Sequence, residues 1–546
     1  MAKEFDLIIK NAKVYDGTGG PWYFADIAVR DGVIAGTGRI DASRGKQSID
    51  AEGRAAAPGF VDPHTHSDLN AATAPDADAK IVQGVTTEVA GNCGLSLTPV
   101  SPEKVNLLRD YLKPFIPKDI MPDFKWGRAG ELMDIVDKSG FATDVAFLSG
   151  HGTVRLAVMG FDDREPTIAE LGKMKELFTM EMEDGCVGFS TGLIYPPGCF
   201  STPPEIVEFC KIAAHYDGVY ATHMRGESGE ILKSVGEALA AAEAGGCRLQ
   251  ISHHKIIQDY EGLSAETLAM MEDARERGVD VACDVYPYIA GSTLISVVLP
   301  PWAREGGVEK MLARLEKAEE RERIKKDFLG EIPGWDNFIK GAGYKNILIS
   351  SSAADKSLEG KTIQQAADER GVEAPDAILD IMLSERGEVT IVIISQSDSD
   401  NRRIMAHELA MIGSDSLATA HSGRLAFGKP HPRCFGTFPR VLGYFTRDQR
   451  LFTLEKAVWK MTGFPAQRFG LGDRGLIKSG LIADFVIFDP ETISGTDDFV
   501  NPRQVPAGIQ CVIKNGEMVV DNGRFLGKTL GKSVRKFGRN RTGHKT

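Results

Sequence analysis

Ala57-Pro-Gly-Phe-Val-Asp-Pro-His-Thr-His66 is an apolar run that ends in two histidines one residue apart. Residues i and i+2 of a strand point to the same face, so the His64 and His66 imidazoles can converge on one metal ion at the strand's end. A lone His-x-His is a weak signal. It gains weight from other apolar runs that close on polar groups, because a (β/α) barrel builds its site from the C-terminal ends of its strands. Further strand-like runs end near Gly91, Gly150, Gly192, His223, His253, Asp284 and Asp415. They alternate with helical patterns, as parallel βαβ units do. With His64 these make eight strand ends, and the fold they predict is α/β: a closed (β/α)8 TIM-like barrel over residues 58–470.

The two ends of the chain read differently. Residues 1–57 hold short alternating strands with Gly turns, such as Asp6-Leu-Ile-Ile-Lys and Asp26-Ile-Ala-Val-Arg, and the pattern returns after residue 471 in Ala483-Asp-Phe-Val-Ile-Phe-Asp489 and Ile509–Val520. The two ends are expected to pair into one small β-sandwich. From Lys528 the chain is basic and poor in apolar residues, which reads as a solvated tail or an arm over a neighbouring subunit. The connection between Asp284 and Asp415 is too long for a plain loop. It predicts an inserted lid subdomain at about 289–345, with a charge-rich helical stretch from Trp302 to Lys326 and further strand-like runs at Asn346 and Thr390.

A chain of 546 residues exceeds what one hydrophobic core serves, so several units are expected. Hydrophobic and charged contents of 42% and 26% are those of a globular protein. A formal net charge of -12 argues against nucleic acid or an anionic membrane as partner. There is no signal-peptide pattern behind Met1 and no run of about 18 apolar residues, so a cytoplasmic location is the default expectation. Oligomeric state is left open. The eight cysteines show no CxxC spacing, which speaks against a disulfide framework and for buried thiols.

The candidate chemistry sits at the strand ends. Cys93, between Gly91 and Gly94, would be a strong zinc ligand as a thiolate, although a free cysteine is often simply buried. His223 and His253 close their runs; either one alone could be a packed or capping residue. His254 must face away from His253, whereas Lys255 shares its face. Asp415 can bind metal and accept a proton from water, or serve as a helix N-cap. Together His64, His66, Cys93, His223, His253 and Asp415 suit zinc better than magnesium or calcium, which prefer oxygen shells.

These residues, with Gly91-Asn-Cys-Gly94, Gly150-His-Gly-Thr-Val-Arg155, Thr222-His-Met-Arg225, Ile251-Ser-His-His-Lys255, Asp284-Val-Tyr-Pro-Tyr288, Gly413-Ser-Asp415 and Pro430–Arg440, resemble the amidohydrolase superfamily. Within it they are similar to the N-acyl-D-amino acid deacylase (D-aminoacylase) family over nearly the whole chain. The resemblance implies a tighter zinc on Cys93, His223 and His253, and a second, weaker position at His64, His66 and Asp415. It also implies a substrate carboxylate held by Lys255, Tyr286 and an arginine shortly before the last strand, for which Arg403 is the best match and Arg402 the competitor. Such a trio would grip a carboxylate through charge-assisted hydrogen bonds. His151 and Ser292 join them as candidate substrate contacts, His151 with an equally good reading as a structural hydrogen bond. His421, His431 and Arg433 are assigned to loop packing. Ile295–Trp302 contains no cation and is either subdomain core or the wall of a pocket for a neutral side chain.

The function expected on these grounds is zinc-dependent hydrolysis of the linear amide of N-acyl-D-amino acids, with Asp415 as general base and then acid. The D preference comes from the resemblance alone. The rival readings are a cyclic amide hydrolase of the hydantoinase or dihydroorotase type and a non-catalytic barrel scaffold. The former usually has a lysine closing the fourth strand, where Cys186-Val-Gly-Phe-Ser-Thr191 has none.

Overall fold

Eight parallel strands form the barrel: β1 (Phe60–Asp62), β2 (Val85–Ala90), β3 (Asp144–Gly150), β4 (Gly188–Gly192), β5 (Val219–His223), β6 (Arg248–Ile251), β7 (Val281–Val285) and β8 (Ala410–Ile412). They pair in chain order. The computed structural model describes residues 3–116, 118–332 and 335–536. Parallel strands covered on both faces need apolar side chains throughout, and β2, β3 and β5 are buried at every position. Val61, Val89, Ala146, Val219, Ala221 and Met411 pack in one cluster with Phe469 and Leu471. The ring closes between β8 and β1 just beyond the strand ends. Asp415 N donates to His64 O at 2.9 Å and His66 N to Ser416 O at 3.0 Å. Three of the four residues whose backbone stitches this seam, His64, His66 and Asp415, are candidate metal ligands.

The two chain ends meet in a single sheet of nine strands, in which Ala55–Pro58 pairs antiparallel with Phe485–Phe488. Its period-2 alternation divides the side chains between two cores: Phe485 and Ile487 join Leu7, Ile9, Ile27 and Val29, whereas Val486 and Phe488 face the large core shared with the barrel. Only Gly59 separates this sheet from β1, so the terminal unit holds the first barrel strand in place. The basic end is not a solvated tail as far as Lys536. Ser533 and Val534 add a short parallel strand to β3, and Ser533 N donates to Asp137 at 2.7 Å. The part of that expectation falling on 537–546 lies outside the described residues.

The insertion is longer than 289–345. Ala290–Leu294 pairs antiparallel with Val389–Ile394, which pairs with Ile347–Ser352, so this three-stranded sheet extends the unit to Ile394. Helices Val308–Leu315, Ala318–Phe328 and Ala374–Ser384 cover it over a core that includes Leu315, Phe328, Ile378 and Ile391. Among the described residues no helix is long and apolar enough to cross a membrane.

Candidate metal centre and substrate cavity

All six candidate ligands meet at the C-terminal mouth of the barrel. Cys93 Sγ lies 3.5 Å from His64 Nε2 and 3.5 Å from His253 Nε2. Asp415 Oδ1 lies 3.2 Å from His66 Nε2 and 3.5 Å from His64 Nε2. The His223 and His253 rings meet edge to face with centroids 4.4 Å apart. One ligand atom each from His64, Cys93, His253 and Asp415 fall within 4.8 Å of one another, and His223, Glu227 and His253 form a second group that shares His253.

The backbone is bent to achieve this. Cys93, His253 and Asp415 have φ of 54°, 36° and 50°, a left-handed conformation unfavourable for residues with a β-carbon. Each follows a strand end, where the chain must turn sharply for its side chain to point over the barrel axis, and such strain persists where surrounding packing imposes it. Gly91 starts the turn after β2 at φ 85°; a β-carbon there would lie 2.2 Å from Leu148 O.

Charge is arranged as tightly as geometry. Burial opposes ionisation of Cys93, yet His253, His64 and His223 hold its thiol well below the ordinary value. Burial alone would push the Asp415 carboxyl up, but Arg433, His253, His66 and His64 keep it well below the usual range. Burial works against charge on His66, which Asp415 and Cys93 nevertheless lift to about 9. His64 Nδ1 lies 3.0 Å from Asp284 Oδ1, and the same oxygen accepts His253 N at 2.7 Å, so Asp284 at the end of β7 orients two of the histidines. A thiol and a carboxyl held ionised among imidazoles form a charge pattern that a divalent cation satisfies by replacing imidazolium protons. Among the described residues both ring nitrogens of the buried His223 lack a hydrogen-bond partner, which leaves a lone pair free for a metal. The soft thiolate among nitrogen donors fits zinc.

Lys255, Tyr286 and Ser292, three of the candidate substrate contacts, line the cavity above this cluster. Gln396 Nε2 donates to the Tyr286 hydroxyl at 2.7 Å. His254 turns away, with Nε2 2.8 Å from Thr267 Oγ1. Two expected contacts do not reach the cavity. Arg403 is on helix Asp398–Ala406 and its guanidinium donates to Ser264 Oγ at 2.8 Å on the outer side; Arg402 pairs with Asp398. His151 starts the helix that follows β3 directly, so its ring is carried into the helical layer, where Nε2 lies 2.8 Å from Glu205. The stretch from Ile295 is subdomain core: Ile295, Val297, Val298 and Leu299 are buried in it.

Arg433, which sequence analysis assigns to loop packing, lines the cavity instead, from the start of the helix Arg433–Arg440 that follows the long loop after β8. Its guanidinium lies 2.8 Å from Asp415 Oδ2 and over the Tyr286 ring, 4.9 Å from its centroid. His431 also lines the cavity and lies 3.0 Å from Ala290 O, whereas His421 packs on Asp78. Glu227, also unforeseen, contacts Lys255, His253 and His223. Its place four residues after His223 was the available signal, and for Arg433 it was the His-Pro-Arg run at 431–433.

Comparison with known proteins places these features. The profile described as "Amidohydrolase family" matches residues 47–327 and 393–520. The chain is 34% identical to the D-aminoacylase of Alcaligenes xylosoxydans xylosoxydans over 97% of its own length and 98% of that protein's. It is 33% identical to the same organism's N-acyl-D-glutamate deacylase, over 94% of each. A crystal structure of D-aminoacylase superposes with a TM-score of 0.80 at 35% identity, covering 97% of this chain and 99% of that one. The N-acyl-D-glutamate deacylase of Bordetella bronchiseptica, solved with zinc and a phosphonate mimic of the tetrahedral intermediate, gives 0.79 at 31% identity, covering 97% and 100%.

Proposed function

The chain belongs to the amidohydrolase family, and from that premise we propose that it is a zinc-dependent N-acyl-D-amino acid deacylase acting on neutral or apolar side chains. Cys93, His223 and His253 would hold the tighter ion, with His64, His66 and Asp415 around a weaker position. The observation that carries the reading is that Lys255, Tyr286 and Arg433 line the same cavity as Cys93, His223 and His253. Zinc, when bound, supplies the Lewis acidity that activates water and polarises the scissile carbonyl.

The chain's own residues do the rest. Lys255 and Arg433 take the substrate carboxylate with the Tyr286 hydroxyl, which anchors the amide over the histidines. Asp415, kept ionised by its surroundings, accepts the proton of the attacking water and passes it to the leaving nitrogen. His66 stands beside Asp415 as a donor to the developing oxyanion. The D preference is drawn from the relatives' names.

Side-chain preference rests on the cavity wall. Among the described residues lining it, the lysine and arginine side chains are Lys255 and Arg433, both committed to the reaction centre. The walls beyond are Leu95, Phe115, Ile194, Phe338 and Phe427, with the hydroxyls of Thr293, Ser351 and Thr390. A second carboxylate there would be desolvated without a partner. The absence of a lysine on β4 weighs against a cyclic amide substrate.

The test is release of amine from paired N-acetyl-D- and N-acetyl-L-amino acids with apolar and acidic side chains, by zinc-loaded and chelator-stripped protein. Zinc-dependent turnover of D-leucine or D-methionine derivatives, with acidic ones at least tenfold poorer, is expected. Equal turnover of the acidic series would overturn the side-chain assignment, and silence on every N-acyl amino acid would overturn the reaction.

A further inference from the structure

Glu227 lies beyond β5 in the turn that leads to helix Ile231–Gly245, and it is buried. The inserted subdomain holds it in place: Asp336 accepts Glu227 N at 2.7 Å and the Ser228 hydroxyl. Its Oε1 receives Lys255 Nζ at 2.5 Å, lies 3.2 Å from His253 Nδ1 and 3.6 Å from His223 Nε2. Lys255 Nζ is in turn 2.9 Å from His253 Nδ1.

This triangle contains a conflict over one proton. A histidine that offers Nε2 to a metal carries its proton on Nδ1. An ammonium 2.9 Å from Nδ1 favours the other tautomer, because it donates to a bare Nδ1 lone pair and leaves the proton on Nε2, facing Cys93. A carboxylate accepts only, so it can take the ammonium and an Nδ1–H together. With Glu227 ionised between them, the Nδ1–H tautomer becomes the favourable one and the Nε2 lone pair is turned to the metal position.

We propose that Glu227 is a positioning residue that selects the metal-binding tautomer of His253 against the opposing pull of Lys255. One buried carboxylate thus lets a metal ligand and a cation for the substrate carboxylate stand side by side. Carboxylates hydrogen-bonded to zinc-ligating histidines typically change metal affinity by about 10–100-fold when removed. The inference rests on His253 being a zinc ligand, and not on which amide is hydrolysed.

The experiment measures zinc affinity by competition with a chromophoric chelator, on the full chain, with no turnover required. Glu227→Gln is expected to weaken zinc binding by about 10–100-fold. Lys255→Met is expected to bind zinc at least as tightly as the unaltered protein. The double variant is expected to recover most of what Glu227→Gln loses, because without the ammonium nothing favours the wrong tautomer. A purely structural role for Glu227 would not be rescued in this way. Unchanged affinity in Glu227→Gln, or a double variant no better than the single, overturns the proposal. If Glu227→Gln is not recovered folded, the same cycle on Glu227→Asp decides it. Failure of the unaltered protein to bind zinc would instead overturn the metal assignment itself.

Discussion

Arg433 Nη1 lies 2.8 Å from Asp415 Oδ2. The pair joins a residue just beyond β8 to the start of the helix Arg433–Arg440, and both partners are buried. Arg433 therefore has two tasks: it keeps Asp415 ionised and it presents the rest of its guanidinium fork to the cavity beside Tyr286.

Arg433→Met should lower kcat/KM on N-acetyl-D-leucine by about 30-fold or more, since breaking a buried charged pair costs roughly 2–5 kcal/mol. Arg403→Ala should stay within about threefold, because surface pairs contribute about 1 kcal/mol or less. Steady-state kinetics on both variants decides between the two arginines, and a large loss in Arg403→Ala with none in Arg433→Met would reverse the assignment.

Asp415→Asn should reduce kcat by about 100- to 10,000-fold, the range for a general base. Asparagine tolerates the left-handed backbone found at φ 50°, so the turn survives the change. Zinc content by mass spectrometry should remain at one equivalent, because Cys93, His223 and His253 are untouched. Retention of a tenth of the activity would remove Asp415 from the proton-transfer role.

The strand ends were readable because each apolar run closes on a residue that the barrel must place at its mouth. His64, His66, Cys93, His223, His253 and Asp415 emerged from that periodicity, and the structure gathers them. Arg433 was not readable, because it opens the helix Arg433–Arg440 after a long loop, outside any strand period, and only the return of that segment over the mouth brings it to Asp415. Arg403 misled for the opposite reason: it is close in sequence to β8, but its helix aims it at Ser264. The reach of the insertion was hidden as well. The runs at Asn346 and Thr390 read as strands, yet a strand does not announce its partner, and here the Thr390 run pairs with Ala290–Leu294 on one side and with the Asn346 run on the other, outside the barrel.

Cys93→Ala should abolish the stabilisation that zinc provides. Addition of zinc at about 100 times its dissociation constant to stripped protein contributes roughly 2.7 kcal/mol by mass action, and the thermal midpoint should rise accordingly. In Cys93→Ala the rise should be largely lost at the same zinc concentration, in differential scanning fluorimetry. An undiminished rise would place the tight ion elsewhere.

Glu181 offers a pH test remote from the metal cluster. Burial pushes its carboxyl up to about 7, even though Thr98 Oγ1 and Ala129 N donate to it at 2.5 and 3.0 Å. In the unfolded chain a glutamate titrates near about 4.3. Between those values the folded protein keeps a proton that the unfolded chain has released, so stability falls as pH rises through the window, and the loss is complete above about 7. Its size is on the order of 3 kcal/mol. Glu181→Gln retains an oxygen for Ala129 N, and its amide can donate to a reoriented Thr98 hydroxyl, so it avoids the ionisation cost. Its thermal midpoint should exceed that of the unaltered protein at pH 8, and the difference should shrink as the pH is lowered to 5. Parallel curves for the two proteins across that range would mean that Glu181 titrates no higher in the folded chain than in the unfolded one.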